Sequence, residues 1–132
     1  MWEVLWMIEK KKVALAACSG MSPYGLVARV TSTDLVAENN NIVSICMGAT
    51  AADKDVFITL IKKYPIITLN GCDSNCTIKI LEQKGVKVTK NINVFEELDK
   101  KNLKPEDVSR LDSEGEVCVE YLKKKIKKDV LG

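Results

Sequence analysis

Apolar positions along this chain fall into short β-rich runs separated by longer stretches of helical period. Val13-Ala14-Leu15-Ala16-Ala17, Ile42-Val43-Ser44-Ile45 and Ile66-Ile67-Thr68-Leu69 are the clearest runs. Small or β-branched apolar side chains with no consistent wet face are the pattern of strands covered on both sides. The pattern predicts strands over about 12–17, 42–45 and 66–69. After the first, Ser22-Pro23 offers a cap with proline at the first helical position. A helix follows to about Glu38, with Leu26, Val27, Val30 and Leu35 inward. Thr50-Ala51-Ala52-Asp53 reads as a capping box for a helix that buries Val56, Leu60, Ile61 and Tyr64. Asn70-Gly71 reads as a turn, with Asp73, Ser74 or Asn75 capping a helix that carries Ile78, Ile80 and Leu81. That helix ends at Lys84-Gly85, a lysine and then a glycine at the position just past the last turn.

Val86, Val88 and the Ile92–Val94 region supply a fourth strand or an extended edge. Residues 96–105 read as a charged connector with a short helix. Ser113-Glu114-Gly115-Glu116 boxes the start of a last helix in which Val119, Leu122, Ile126 and Val130 face inward. Lys123, Lys124, Lys125, Lys127 and Lys128 are then expected on its wet face, and Cys118 on its apolar side. Trp2, Val4, Leu5, Trp6 and Ile8 fit an edge strand, a short packed helix or an oligomer contact, and both tryptophans read as packing residues. The βαβαβ order predicts a three-layer α/β fold, Rossmann-like or flavodoxin-like. Its sheet would be mostly parallel, with about four strands and flanking helices. All 132 residues read as one domain. Residues 13–94 form the cysteine-bearing core, and 99–132 a C-terminal connector and amphipathic helix.

Composition narrows the function classes. An apolar fraction of 46% and a charged fraction of 29% describe an ordinary globular chain, and a formal charge of +2 says little about partners. There is no His, and the only arginines are Arg29 and Arg110, too few for a base-reading surface. Nucleic acid is therefore not expected as a partner. No apolar stretch is long enough for a membrane span. Met1 to Ile8 is short and broken by Glu3, unlike a secretory leader. A protein partner or a homo-oligomer stays open. Five cysteines without a secretory signature point to metal-bound or reactive thiols in a reducing, cytoplasmic setting.

Four of those cysteines hold equivalent places. Cys18 follows the first strand, Cys46 the second, and Cys72 and Cys76 the third. If the strands are parallel, one sheet edge receives four thiols, and ligands bind at that edge in open α/β sheets. Four thiolates complete a tetrahedral Zn²⁺ shell, and the same donor set serves an iron–sulfur cluster. Partial positive charge at helix amino termini favours thiolate. Ser19, Gly20, Gly48 and Gly71 beside the cysteines allow close backbone approach, with amides directed at sulfur. The spacing of Cys72 and Cys76 fits neither a zinc knuckle nor a thioredoxin-like site, so thiol–disulfide chemistry of that pair is the alternative. A phosphate-clamping loop after Cys18 would need an arginine at its far end, whereas Arg29 falls well inside the predicted helix. A Cys₄ zinc has no open position for a substrate, which points to an accessory or metal-handling role over catalysis.

The chain resembles the family of zinc-binding proteins named for their Asp-Gly-Cys motif. The resemblance rests on Ala17-Cys18-Ser19-Gly20, Ile45-Cys46-Met47-Gly48 and Leu69-Asn70-Gly71-Cys72 with Cys76, within about Val13 to Val94. It implies that Cys18, Cys46, Cys72 and Cys76 hold zinc and that Gly71 is the motif glycine. Asn70 stands where the motif has Asp, which removes a carboxylate from the site.

Overall fold

Three parallel ladders build the sheet, and the first strand is central to it. In the computed structural model, which describes residues 12–18, 22–71 and 74–131 (backbone alone at 130 and 131), the strands are β1 (Val13–Ala17), β2 (Ile42–Ile45), β3 (Ile66–Asn70) and β4 (Lys90–Asn93). Their order is β2-β1-β3-β4, with Ala16 opposite Ile45 in β2 and Ala17 opposite Leu69 in β3. The fold is the three-layer, Rossmann- or flavodoxin-like α/β arrangement. Its helices are α1 (Pro23–Glu38), α2 (Met47–Ala51), α3 (Asp55–Lys63), α4 (Cys76–Gln83), α5 (Val94–Asp99) and α6 (Ser113–Ile126), and a π-helical turn follows at Lys127–Leu131.

Alternation along β1 divides the core. Leu15 joins Val27 and Leu35 of α1, Leu98 of α5, and Cys118, Leu122 and Ile126 of α6. Ala14 and Ala16 face the opposite layer, where Ile61 of α3 and Leu81 of α4 pack. The chain leaves β1 through α1 on one face to reach β2, then recrosses through α3 on the other face to reach β3. That reversal puts the switch point at the carboxyl ends of β1 and β3.

Several local expectations shift. Ser22 caps α1 through Gly25 N–H at 2.9 Å, and Gly85 (φ +76°) ends α4, both as the sequence suggested. The second connection breaks into two helices. Thr50 lies inside α2 and donates its hydroxyl to Cys46 O at 2.7 Å, while Asp53 adopts a left-handed φ of 61° and pairs with Lys84 at 2.6 Å. Leu60, Ile61 and Tyr64 pack inward as expected, joined by Phe57 and Ile58, but Val56 at the start of α3 is exposed. Asp112, rather than Ser113, caps α6 by accepting from Gly115 N–H at 2.6 Å. Residues 1–11, including both tryptophans, lie outside the described residues.

Lys123 departs most from expectation. It is buried between α6 and α1, with Nζ 2.8 Å from Glu38 Oε1, 3.1 Å from Glu120 Oε1 and 3.5 Å from Asp34 Oδ2. Three carboxylates gather around the ammonium, so the aliphatic stem can be buried while its charge stays paired. Hydrogen bonding to Glu38 lifts the Lys123 pKa above the usual lysine range despite burial. The same bond holds the Glu38 carboxyl below its ordinary 4.5. A lowered carboxyl pKa contributes stability that is present above the ordinary value and is lost as pH falls through the folded-state value. Wild type should therefore lose stability as pH drops below 4.5, and Lys123→Met should flatten that part of the profile. Chemical denaturation at pH 7 and pH 3 reads the difference, and identical slopes in both proteins would refute the linkage.

Candidate metal centre

The parallel order β2-β1-β3 sets three cysteine-bearing tips side by side at one edge. Cys18 follows β1 directly, half-buried, and its N–H extends the ladder to Leu69 O at 2.8 Å. Cys46 occupies the N-cap position of α2 and Cys76 the first position of α4, and both are exposed. Cys72, Ser19 and Gly20 lie outside the described residues. Cys46 lines a cleft beside α1, and the helix it caps, α2, packs against α4, which Cys76 opens. Among the described residues, no three Cys, Asp or Glu side chains form a group that could hold a metal ion.

The β3 tip is built by a polar network that the sequence pattern hid. Asn70 belongs to the strand and is 1% exposed, not an exposed turn residue. Its Oδ1 accepts from Thr77 Oγ1 at 2.7 Å and from Thr77 N–H at 3.3 Å, and so caps α4 from the neighbouring strand. Asn75, the residue just before α4, makes no side-chain cap bond. The backbone N–H of Thr77 can only donate, so the Asn70 oxygen must face it and Nδ2 must face Asn91. Nδ2 donates to Asn91 Oδ1 at 2.7 Å, and the Thr68 hydroxyl donates to the same oxygen at 2.7 Å. The amide thus ties strand, neighbouring strand and helix together around the Cys72–Cys76 turn. The motif position holds structure here through its neutral amide.

Gly71 is required by contact. A Cβ there would lie 2.8 Å from Gly25 N and 3.0 Å from Gly25 Cα, in backbone of the first turn of α1 that cannot swing aside. At Gly48 a Cβ would meet nothing within 4 Å.

A sequence model of the DGC domain matches residues 14–120. The chain belongs to the DGC domain family. The match runs well past Val94, where the motif resemblance ended, and it takes in most of α6. That agrees with the packing, because Cys118 and Val119 of α6 share the buried cluster of β1 and α1. Comparison with curated proteins and with solved structures gave no match. The fifth cysteine of this DGC domain is set apart from the edge. Cys118 is fully buried, and burial, followed by Glu114 and Asp112, pushes its thiol up to about 11. It stays protonated at neutral pH.

Two substitutions separate contact from proximity at the edge. Gly71→Ala should cost about 1–3 kcal/mol through overpacking. Gly48→Ala should be neutral, or stabilise α2 by up to about 1 kcal/mol. Asn70→Ala should cost about 1–3 kcal/mol by leaving Thr77 and Asn91 without their buried partner. Urea titrations of the three variants check the ranking, and equal effects at Gly48 and Gly71 would contradict it.

Proposed function

We propose that this protein binds a zinc ion through Cys18, Cys46, Cys72 and Cys76 and serves an accessory or metal-handling role. The observation that carries the reading is the delivery of cysteines by three adjacent parallel strands to one edge, in a chain of the DGC domain family. Thiolate is a good donor for Zn²⁺, and four of them would complete its tetrahedral shell. Among the described residues no three Cys, Asp or Glu side chains form a group that could hold a metal ion, so a shared ion would have to draw the thiols together. The network around Asn70 and the backbone contact at Gly71 would anchor the β3 side of the site, with Ser19, Gly20 and Gly48 flanking the other thiols. A closed four-thiolate shell leaves no position for a metal-bound water, which favours a structural or metal-transfer role. A reducing, cytoplasmic compartment would keep the thiols available.

Elemental analysis of anaerobically purified protein, with an absorption spectrum of the same sample, tests the proposal. About one zinc per chain and no visible band are expected for a single four-thiolate site. Iron with acid-labile sulfide would replace zinc by a cluster, and a metal-free protein that gains no stability from added zinc would overturn the reading. Cys72→Ser should lose metal and lower the thermal midpoint, since metal binding to a thiolate site also contributes folding free energy. Cys118→Ser should retain full metal content. Equal metal loss from both variants would refute the ligand assignment.

A further inference from the structure

Beside Cys46 the structure contains a cleft whose α1 wall the zinc reading does not use. It has a volume of about 380 Å³ and opens between α1 and the tip of β2. Arg29, Ser32 and Thr33 of α1 line one wall, and Ser44, Cys46 and Gly48 line the other. Arg29 and Thr33 are one helical turn apart, with Ser32 between them on the same side of α1. Among the described residues, no carboxylate lines the cleft.

Two of these groups lack partners. The Arg29 guanidinium makes no ion pair or hydrogen bond among the described residues, and Asp34, the next acid along α1, is engaged with Lys123. Ser32 is 3% exposed and lines the cleft, yet its hydroxyl has no hydrogen-bond partner among the described residues. A buried hydroxyl normally finds a partner, and one that opens only onto a cleft is satisfied by what enters it. The Arg29 guanidinium together with the Ser32 and Ser44 hydroxyls suits an anion with several acceptor oxygens. The volume lies at the small end of ligand pockets.

We infer that this cleft binds a small oxyanion, a phosphate or carboxylate group, with Arg29 supplying the charge and Ser32 a buried hydrogen bond. Ser44 completes the donor set, since the Thr33 hydroxyl already donates to Arg29 O at 2.9 Å, and the ligand would sit next to the Cys46 thiol. The inference stands whether or not zinc is bound, because neither Arg29 nor Ser32 is assigned to the metal.

The test is titration of ¹⁵N-labelled protein, as purified, with inorganic phosphate and separately with succinate. Saturable shifts are expected at the Ser32, Ser44 and Gly48 amides with at least one of the two. Phosphate alone would identify phosphate-bearing ligands, succinate alone carboxylates, and both the shared oxyanion chemistry. Arg29→Gln should weaken binding by about tenfold or more, as expected for loss of charged hydrogen bonds. The variant should fold normally, since Arg29 is exposed and unpaired within the described fold. Lys62→Gln, an equal loss of charge at an exposed position of α3, should leave binding unchanged. Ser32→Ala should weaken binding about three- to tenfold while leaving the thermal midpoint unchanged or higher, because the hydroxyl has no partner to lose. No saturable shift with either anion, or equal affinity in wild type and Arg29→Gln, would overturn the proposal. So would equal weakening by Arg29→Gln and Lys62→Gln, which would reduce the effect to overall charge.

Discussion

Backbone meets backbone where the tip of β3 crosses the first turn of α1, and the cysteine edge depends on that contact. Neither Gly25 nor Gly71 has a side chain to hold the segments apart, so the two main chains touch. The loop after β1 leads into α1, and the loop after β3 leaves from Gly71. One contact therefore sets both relative to the switch point. Asn70 extends the same fixation outward by joining β3 to β4 through Asn91 and to α4 through Thr77. The loops after β1 and β3 thus spring from a rigid base.

The layers of the fold were legible from periodicity alone, because strands covered on both faces carry runs that few other elements share. The order of the strands was not legible there, and the structure places β1 between β2 and β3. Local boundaries were harder, for definite reasons. Asn70 looked like a turn residue because Asn-Gly usually turns a chain, yet Thr77 and Asn91 satisfy its amide inside the core. Thr50 and Asp53 have capping-box spacing, but a left-handed residue at Asp53 ends one helix and lets another begin. Lys123 sits in a lysine run that reads as solvated, and only the fold brings Asp34 and Glu38 against it. In each case a partner distant in sequence overrode the local signal.

The candidate site divides in the same way. That Cys18, Cys46 and Cys76 stand beyond strand ends was readable from their places after the apolar runs, and the burial of Cys118 from its place on an apolar helical face. How near the thiols come to one another was not. That depends on where each strand stops, and a single residue changes the answer. Cys46 consequently shares surroundings with Arg29 and Ser32, neither of which carries a motif. Their common signal was faint, an arginine followed within one helical turn by the hydroxyl residues Thr31, Ser32 and Thr33.

The parallel order of the sheet has a consequence for how the molecule assembles. Among the described residues no strand pairs with another through a hairpin, and β1 gains its second neighbour only when β3 arrives from beyond β2 in the chain. Pairings of such long sequence separation are slow to form, because loop-closure entropy must be met before the contacts reward it. Until then the cysteines belong to separate βα units. Their alignment is a late event in folding, and a nascent chain presents them one unit at a time.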